Sequence, residues 1–175
     1  MATIFHQLII DTEPKVIFEA ITSQKGLSSW WIKDSEAKAE VGHINTFTFE
    51  GYPSTKMKIK KLVPDKKIVW KCVEGDKEWK GTKLTFSISP EDGGSILQFK
   101  HAKWRRQSSF YATCNFHWAR HFLMLKEYCE SGVSKLEKHK EKIEIKKVKA
   151  IKNKPSTTKS EKEKVKKPGV KVAKK

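Results

Sequence analysis

Apolar positions recur along this chain at two different spacings, and the change from one to the other marks out its elements. Trp118, Phe122, Leu125 and Cys129 fall at i, i+4, i+7 and i+11, so they share one face of a long helix that runs to Gly132. A short apolar strand, 96–99, precedes it, and a stripe of that length needs a broad surface to cover. Near the start a strand is predicted over 3–10. Val16, Ile17, Ala20 and Ile21 then form a 3.6-residue face, with Phe18 on its margin, for a first helix ending at about Thr22. Asp11 or Thr12 stands where a cap is needed, and Pro14 suits the first turn. Residues 23–26 interrupt the pattern before a second short helix holding Leu27, Trp30 and Trp31.

From Gly42 onward the period becomes two, with strands predicted over 44–50, 57–63, 66–73, 81–88 and 95–101. Gly51-Tyr52-Pro53-Ser54, Pro64-Asp65, Glu74-Gly75-Asp76 and Glu91-Asp92-Gly93-Gly94 separate them, and all are turn-forming. Strands at hairpin spacing imply an antiparallel meander. Alternation puts Phe47, Phe49, Met57, Ile59, Ile68, Trp70, Leu84, Phe86, Ile88, Leu97 and Phe99 on a dry face, with lysines commonly between them on a wet one. The fold class is α+β: a curved antiparallel sheet of about six strands wrapped around a long C-terminal helix, with two short helices after the first strand. A dry face that wide encloses either interdigitated aromatics or a pocket, and the pattern leaves both open.

Composition narrows the partners. The net charge of +17 suggests a nucleic-acid binder until its location is considered. Residues 1–130 hold 20 Lys and Arg against 15 Asp and Glu, whereas 131–175 hold 17 against 5. The excess therefore sits in the tail, where lysines mix with Ser, Thr, Pro and Val. The expected organisation is a domain over 1–133, a possible helical extension over 134–152, and a disordered Lys-rich tail over 153–175. The tail is expected to aid solubility or to contact nucleic acid or another polyanion weakly. Cys72, Cys114 and Cys129 are far apart, the start is too short and polar for a secretory signal, and no apolar run approaches a membrane span. A cytoplasmic location is the expectation.

Chemistry-bearing motifs are sparse. The chain has no Gly-x-Ser-x-Gly elbow, no phosphate-binding glycine loop and no His-Glu-x-x-His. Glu19, Glu50 and His101 form no acid–base pair that sequence reveals, and no catalytic residue or cofactor is expected. Cys114, His117 and His121 lie within about 60° of arc on one helix face. One helix rarely completes a metal sphere, so no metal site is expected. His101 shares the inward face of Leu97 and Phe99, and is either bonded to a backbone carbonyl or available to orient a ligand. Asn115, beside the Trp118 face, carries the same ambiguity. The six tryptophans are read mainly as core, with Trp104-Arg105-Arg106 as a loop at the mouth of any pocket.

The order of elements resembles the START-like, or SRPBCC, helix-grip superfamily. Val16-Ile17-Phe18-Glu19-Ala20-Ile21-Thr22 followed by Gly26-Leu27-Ser28-Ser29-Trp30-Trp31 is similar to the opening of the branch related to the activator of the heat-shock chaperone ATPase. Leu97-Gln98-Phe99-Lys100-His101, Trp118, and the Leu125, Tyr128, Glu130, Gly132 ending extend the resemblance over about 3–133. Members often have Gly-Trp where this chain has His117-Trp118, a bulkier group at the pocket mouth. The resemblance implies a hydrophobic pocket between sheet and helix, used for lipids or polyketides, for cyclase-type chemistry, or, in other branches, for chaperone contact.

These readings converge on non-enzymatic binding of a hydrophobic or amphipathic small molecule. Trp31, Phe47, Phe49, Ile59, Trp70, Phe86, Phe99, Trp118, Phe122 and Leu125 would line the cavity, with His101 and Asn115 as polar handles. The alternatives are a protein-interaction module of the chaperone-activator type, working through the outer sheet face or the first helix, and a cyclase-like pocket enzyme.

Overall fold

The structure, a computed structural model, describes residues 1–132; the expected helical extension and Lys-rich tail lie outside the described residues. Its elements are β1 (Ala2–Ile10), α1 (Pro14–Thr22), α2 (Gln24–Trp30), β2 (Ser35–Glu36), β3 (Ile44–Phe47), β4 (Thr55–Val63), β5 (Lys67–Glu74), β6 (Lys83–Glu91), β7 (Gly94–Trp104) and α3 (Ser109–Ser131). The strands form one curved, unclosed antiparallel sheet of seven, in the order β1-β7-β6-β5-β4-β3-β2. Six of them, β2 to β7, follow one another as the meander, and β1 adds to its far side beside β7. The expected count was about six. The additional strand is β2, a two-residue segment too short for any alternation to reveal.

Local chemistry sets the joints. Pro64 and Asp65, the latter at φ 57°, turn β4 into β5, and Lys66 N donates to Val63 O at 3.1 Å. Glu91 pairs with Gly94 across Asp92-Gly93, where φ at Gly93 is 76°. Helix α1 starts at Pro14 with Glu13 at its N-cap and no side-chain cap bond, so neither Asp11 nor Thr12 performs the expected capping. Asp11 N instead donates to Glu130 Oε1 at 2.9 Å, and Thr12 O accepts from Ser95 Oγ at 2.8 Å. Ile17, Ala20 and Ile21 are buried as expected, but Val16 is 39% exposed, one step round the helix from the sheet. Ser23 caps α2 by accepting from Gly26 N at 3.0 Å, and Trp31 closes that helix rather than lying within it.

Ser108 caps α3 by accepting from Tyr111 N, and Gly132 ends it at φ 68° with its N–H on Tyr128 O. Cys114, Trp118, Phe122, Leu125 and Cys129 form its buried stripe. The flank of α3 also holds the outer margin of β1. Tyr111 Oη donates to Thr3 O at 3.0 Å, Lys126 Nζ donates to Ile9 O at 2.6 Å, and Glu130 takes the Asp11 bond.

Between helix and sheet the space is filled with rings. Phe99 meets Trp118 at 4.5 Å and Phe122 at 4.8 Å, while Trp31 meets Phe47 at 4.5 Å and Trp118 at 5.1 Å between centroids. Such pairs add about 0.5–1.5 kcal/mol each beyond the area they bury. No helix among the described residues is long and apolar enough to cross a membrane.

Candidate functional site

An apolar cleft of about 120 Å³ opens at one end of the helix–sheet interface. Its first wall is the N-terminal half of α3, with Phe110, Thr113, Cys114, His117, Trp118 and His121. Its second is the loop after β3 with Phe49, Tyr52 and Pro53, next to Thr55, and its third is the turn after β5 with Asp76 and Trp79. That turn is organised by Asp76, whose Oδ1 accepts from Glu78 N at 2.8 Å and whose carbonyl accepts from Trp79 N at 2.9 Å. The Trp79 indole is thereby laid over α3. It donates to Cys114 Sγ at 3.2 Å and stacks on Trp118 at 6.3 Å.

Electrostatically the site is quiet. Burial pushes the Cys114 thiol up to about 11, so it stays protonated at neutral pH and lacks thiolate reactivity. Burial, then the neighbouring His117 and Arg120, bring His121 down to about 4, leaving a neutral imidazole. A backbone hydrogen bond to Trp30 pulls the other way without offsetting the burial. His117 is exposed at the rim, where the bulky residue was expected. Among the described residues no group of three His, Cys, Asp or Glu side chains is arranged to hold a metal ion.

Of the residues expected to line a cavity, Phe49 and Trp118 face this cleft. Trp31, Phe47, Ile59, Trp70, Phe86, Phe99, Phe122 and Leu125 are at most 3% exposed and pack against one another instead. His101 is fully buried with both ring nitrogens engaged: Trp118 Nε1 donates to Nδ1 at 3.2 Å, and Nε2 meets Thr82 Oγ1 at 2.9 Å. Thr82 Oγ1 donates onward to Trp79 O, so Nε2 carries the proton. The histidine is thus a strut between β7, α3 and the Trp79 turn, and it has no free atom for a ligand. Its partners are side chains rather than the expected backbone carbonyl. Asn115 is exposed and is not among the residues that line the cleft. Trp104 is likewise not in a mouth loop: it ends β7, fully buried, against His101 and Tyr111.

Sequence reasoning missed Tyr52, Trp79, Phe110 and Thr113. The signal for Tyr52 was an aromatic inside a turn, 63% exposed. For Trp79 no periodicity was available, because its turn belongs to neither a strand nor a long helix.

The model of the family described as activator of Hsp90 ATPase homolog 1-like protein matches residues 11–130. Among solved structures, the Aha1 dimer from Colwellia psychrerythraea is similar at 32% identity and a TM-score of 0.70, covering 75% of this chain and 98% of that one. A protein from Mesorhizobium loti shares the fold at 19% identity and a TM-score of 0.64, covering 72% of this chain and 95% of that one. DynU16, from the dynemicin biosynthetic locus, shares it at 13% identity and a TM-score of 0.65, covering 75% of this chain and 48% of that one. No curated protein matches the chain.

Proposed function

The chain belongs to the activator of Hsp90 ATPase homolog 1-like family, and from that premise we propose that it docks on a chaperone-type ATPase, its cleft receiving one apolar side chain of that partner. The observation that carries this reading is the filled interior, which leaves about 120 Å³ at the mouth. Pockets for drug-sized ligands run to roughly 300–1,000 Å³, whereas a cavity of about 150 Å³ holds one benzene-sized ring. Interfaces commonly turn on a few buried anchors seated in desolvated pockets. Aromatic walls from Phe49, Trp79, Phe110 and Trp118 beneath a rim bearing Asp76 and His117 suit such an anchor.

The test fills the cleft from its exposed edge. The wild-type chain is expected to raise the ATP turnover of an Hsp90-type chaperone. Thr113→Trp is expected to weaken that effect about tenfold, the loss of an anchor worth ~1.4 kcal/mol, without lowering the melting temperature. No stimulation by the wild type, or full stimulation by the variant, rejects the proposal.

A second reading is favoured by the apolar lining of the cleft with the His121 imidazole among it: a small apolar molecule with one hydrogen-bonding group occupies the cleft. Solvent extraction of the purified protein, followed by mass spectrometry, is expected to recover a ring-sized compound on this reading. Recovery of a long-chain lipid would contradict both readings.

A further inference from the structure

Away from the cleft, the outer face of the sheet brings lysines into register. Lys58 pairs with Lys71, and Lys71 with Lys83, so three of them stand directly opposite one another on β4, β5 and β6. Adjacent strands lie about 4.8 Å apart, and like charges directly opposite destabilise a sheet. None of the three is in an ion pair among the described residues. Two irregularities add to the row. The β4–β5 register shifts between Ile59 and Lys61, making Lys60 an extra residue and setting Lys61 opposite Val69. Near the end of β7, Lys103 adopts φ 69°, a left-handed conformation that costs a residue with a Cβ about 1–2 kcal/mol. Lys60, Lys61, Lys71, Lys83 and Lys103 thereby surround a concavity of about 340 Å³ completed by Val69 and Gly81, with no acidic residue in its lining.

We propose that this concavity binds a compact oligophosphate. Lysine recognises phosphate as a point charge, and a phosphomonoester delivers about −1.5 to −2 charges in a small volume. An acidic peptide delivers one charge per side chain at wider spacing, a poorer match to ammonium groups on neighbouring strands. Single-stranded nucleic acid needs aromatic faces for its bases, and no aromatic side chain lines this concavity. Free oligophosphate and a polyphosphorylated lipid headgroup present the same chemistry.

The experiment titrates tripolyphosphate into the full chain and into the double variant K71Q/K83Q by calorimetry, and follows thermal unfolding of both. Saturable binding to the wild type is expected, falling with added salt and at least tenfold weaker in the variant. The Lys-rich tail is unchanged in the variant, so binding through the tail would survive there. Without the anion the variant is expected to melt higher, because the opposed charges are gone. Tripolyphosphate is expected to raise the melting temperature of the wild type alone. Added retention on vesicles carrying a polyphosphorylated inositol lipid, but not on phosphatidylcholine vesicles, assigns the headgroup; tripolyphosphate binding without vesicle retention assigns the free anion. Equal affinity in wild type and variant, or no saturable binding, overturns the proposal. The cleft and its partner play no part in any of these readouts.

Discussion

His101 stays neutral to about pH 3 because burial penalises its charged form. In the unfolded chain the same imidazole takes up a proton near its ordinary value of about 6.5. Between those two values the unfolded state holds a proton that the native state refuses. The stability this contributes is full above about pH 6.5 and falls as the pH drops toward 3, by up to ~1.4 kcal/mol per pH unit. His121, held at about 4, acts in the same sense. His101→Phe is expected to lower stability near neutral pH by about 1–3 kcal/mol, because it strips the Trp118 N–H of its acceptor and the Thr82 hydroxyl of its donor. The same change should flatten the acid limb. Thermal melts from neutral to about pH 4 read both effects, and an undiminished acid limb in the variant would refute the assignment. Alternation along β7 was enough to turn this residue inward. It revealed neither partner, because Thr82 and Trp118 lie 19 and 17 residues away on other elements.

At the scale of elements, α1 and α2 fit through one glycine. A Cβ at Gly26 would lie 2.5 Å from Ala20 O and 2.6 Å from Ala20 Cα, both backbone atoms that cannot yield cheaply. The neighbouring Trp30 Nε1 donates to that same carbonyl at 2.9 Å. Gly26→Ala is therefore expected to destabilise by about 1–3 kcal/mol despite alanine's better helix propensity, and chemical denaturation would measure it. A neutral or stabilising result would mean the helices do not pack as described. The meander and long helix were legible because their periods run through many residues. Element ends were not: β7 continues past His101 to Trp104. Strict alternation turns Trp104 outward, but the left-handed backbone at Lys103 resets the pleat and brings it in, so that Trp104 pairs with Ala2 while His101 pairs with Ile4. Phe49 left the ladder after β3 and became a wall of the cleft instead.

Over the whole molecule, sequence identified which side chains point inward but not whether they meet. That depends on sheet curvature, which is a sum of twists and bulges spread over every strand. Phe122 tests the outcome, touching Phe99, Trp118 and Trp30 at the centre of the filled space. Phe122→Ala is expected to cost about 3–5 kcal/mol and to leave a void able to take up benzene, detectable as a benzene-dependent rise in melting temperature. A variant that loses stability yet gains no such response would show that the surrounding rings collapse into the gap.

The bonds from α3 to Thr3 and Ile9 on β1, and to Asp11 just after it, carry a further consequence. A bare strand margin is a template on which another chain can add, and here the helix that plugs the interior also shields that margin. Release of the plug and recruitment of foreign strands are then a single event. Conditions that loosen α3 should lead toward fibrous polymer as much as toward unfolded monomer.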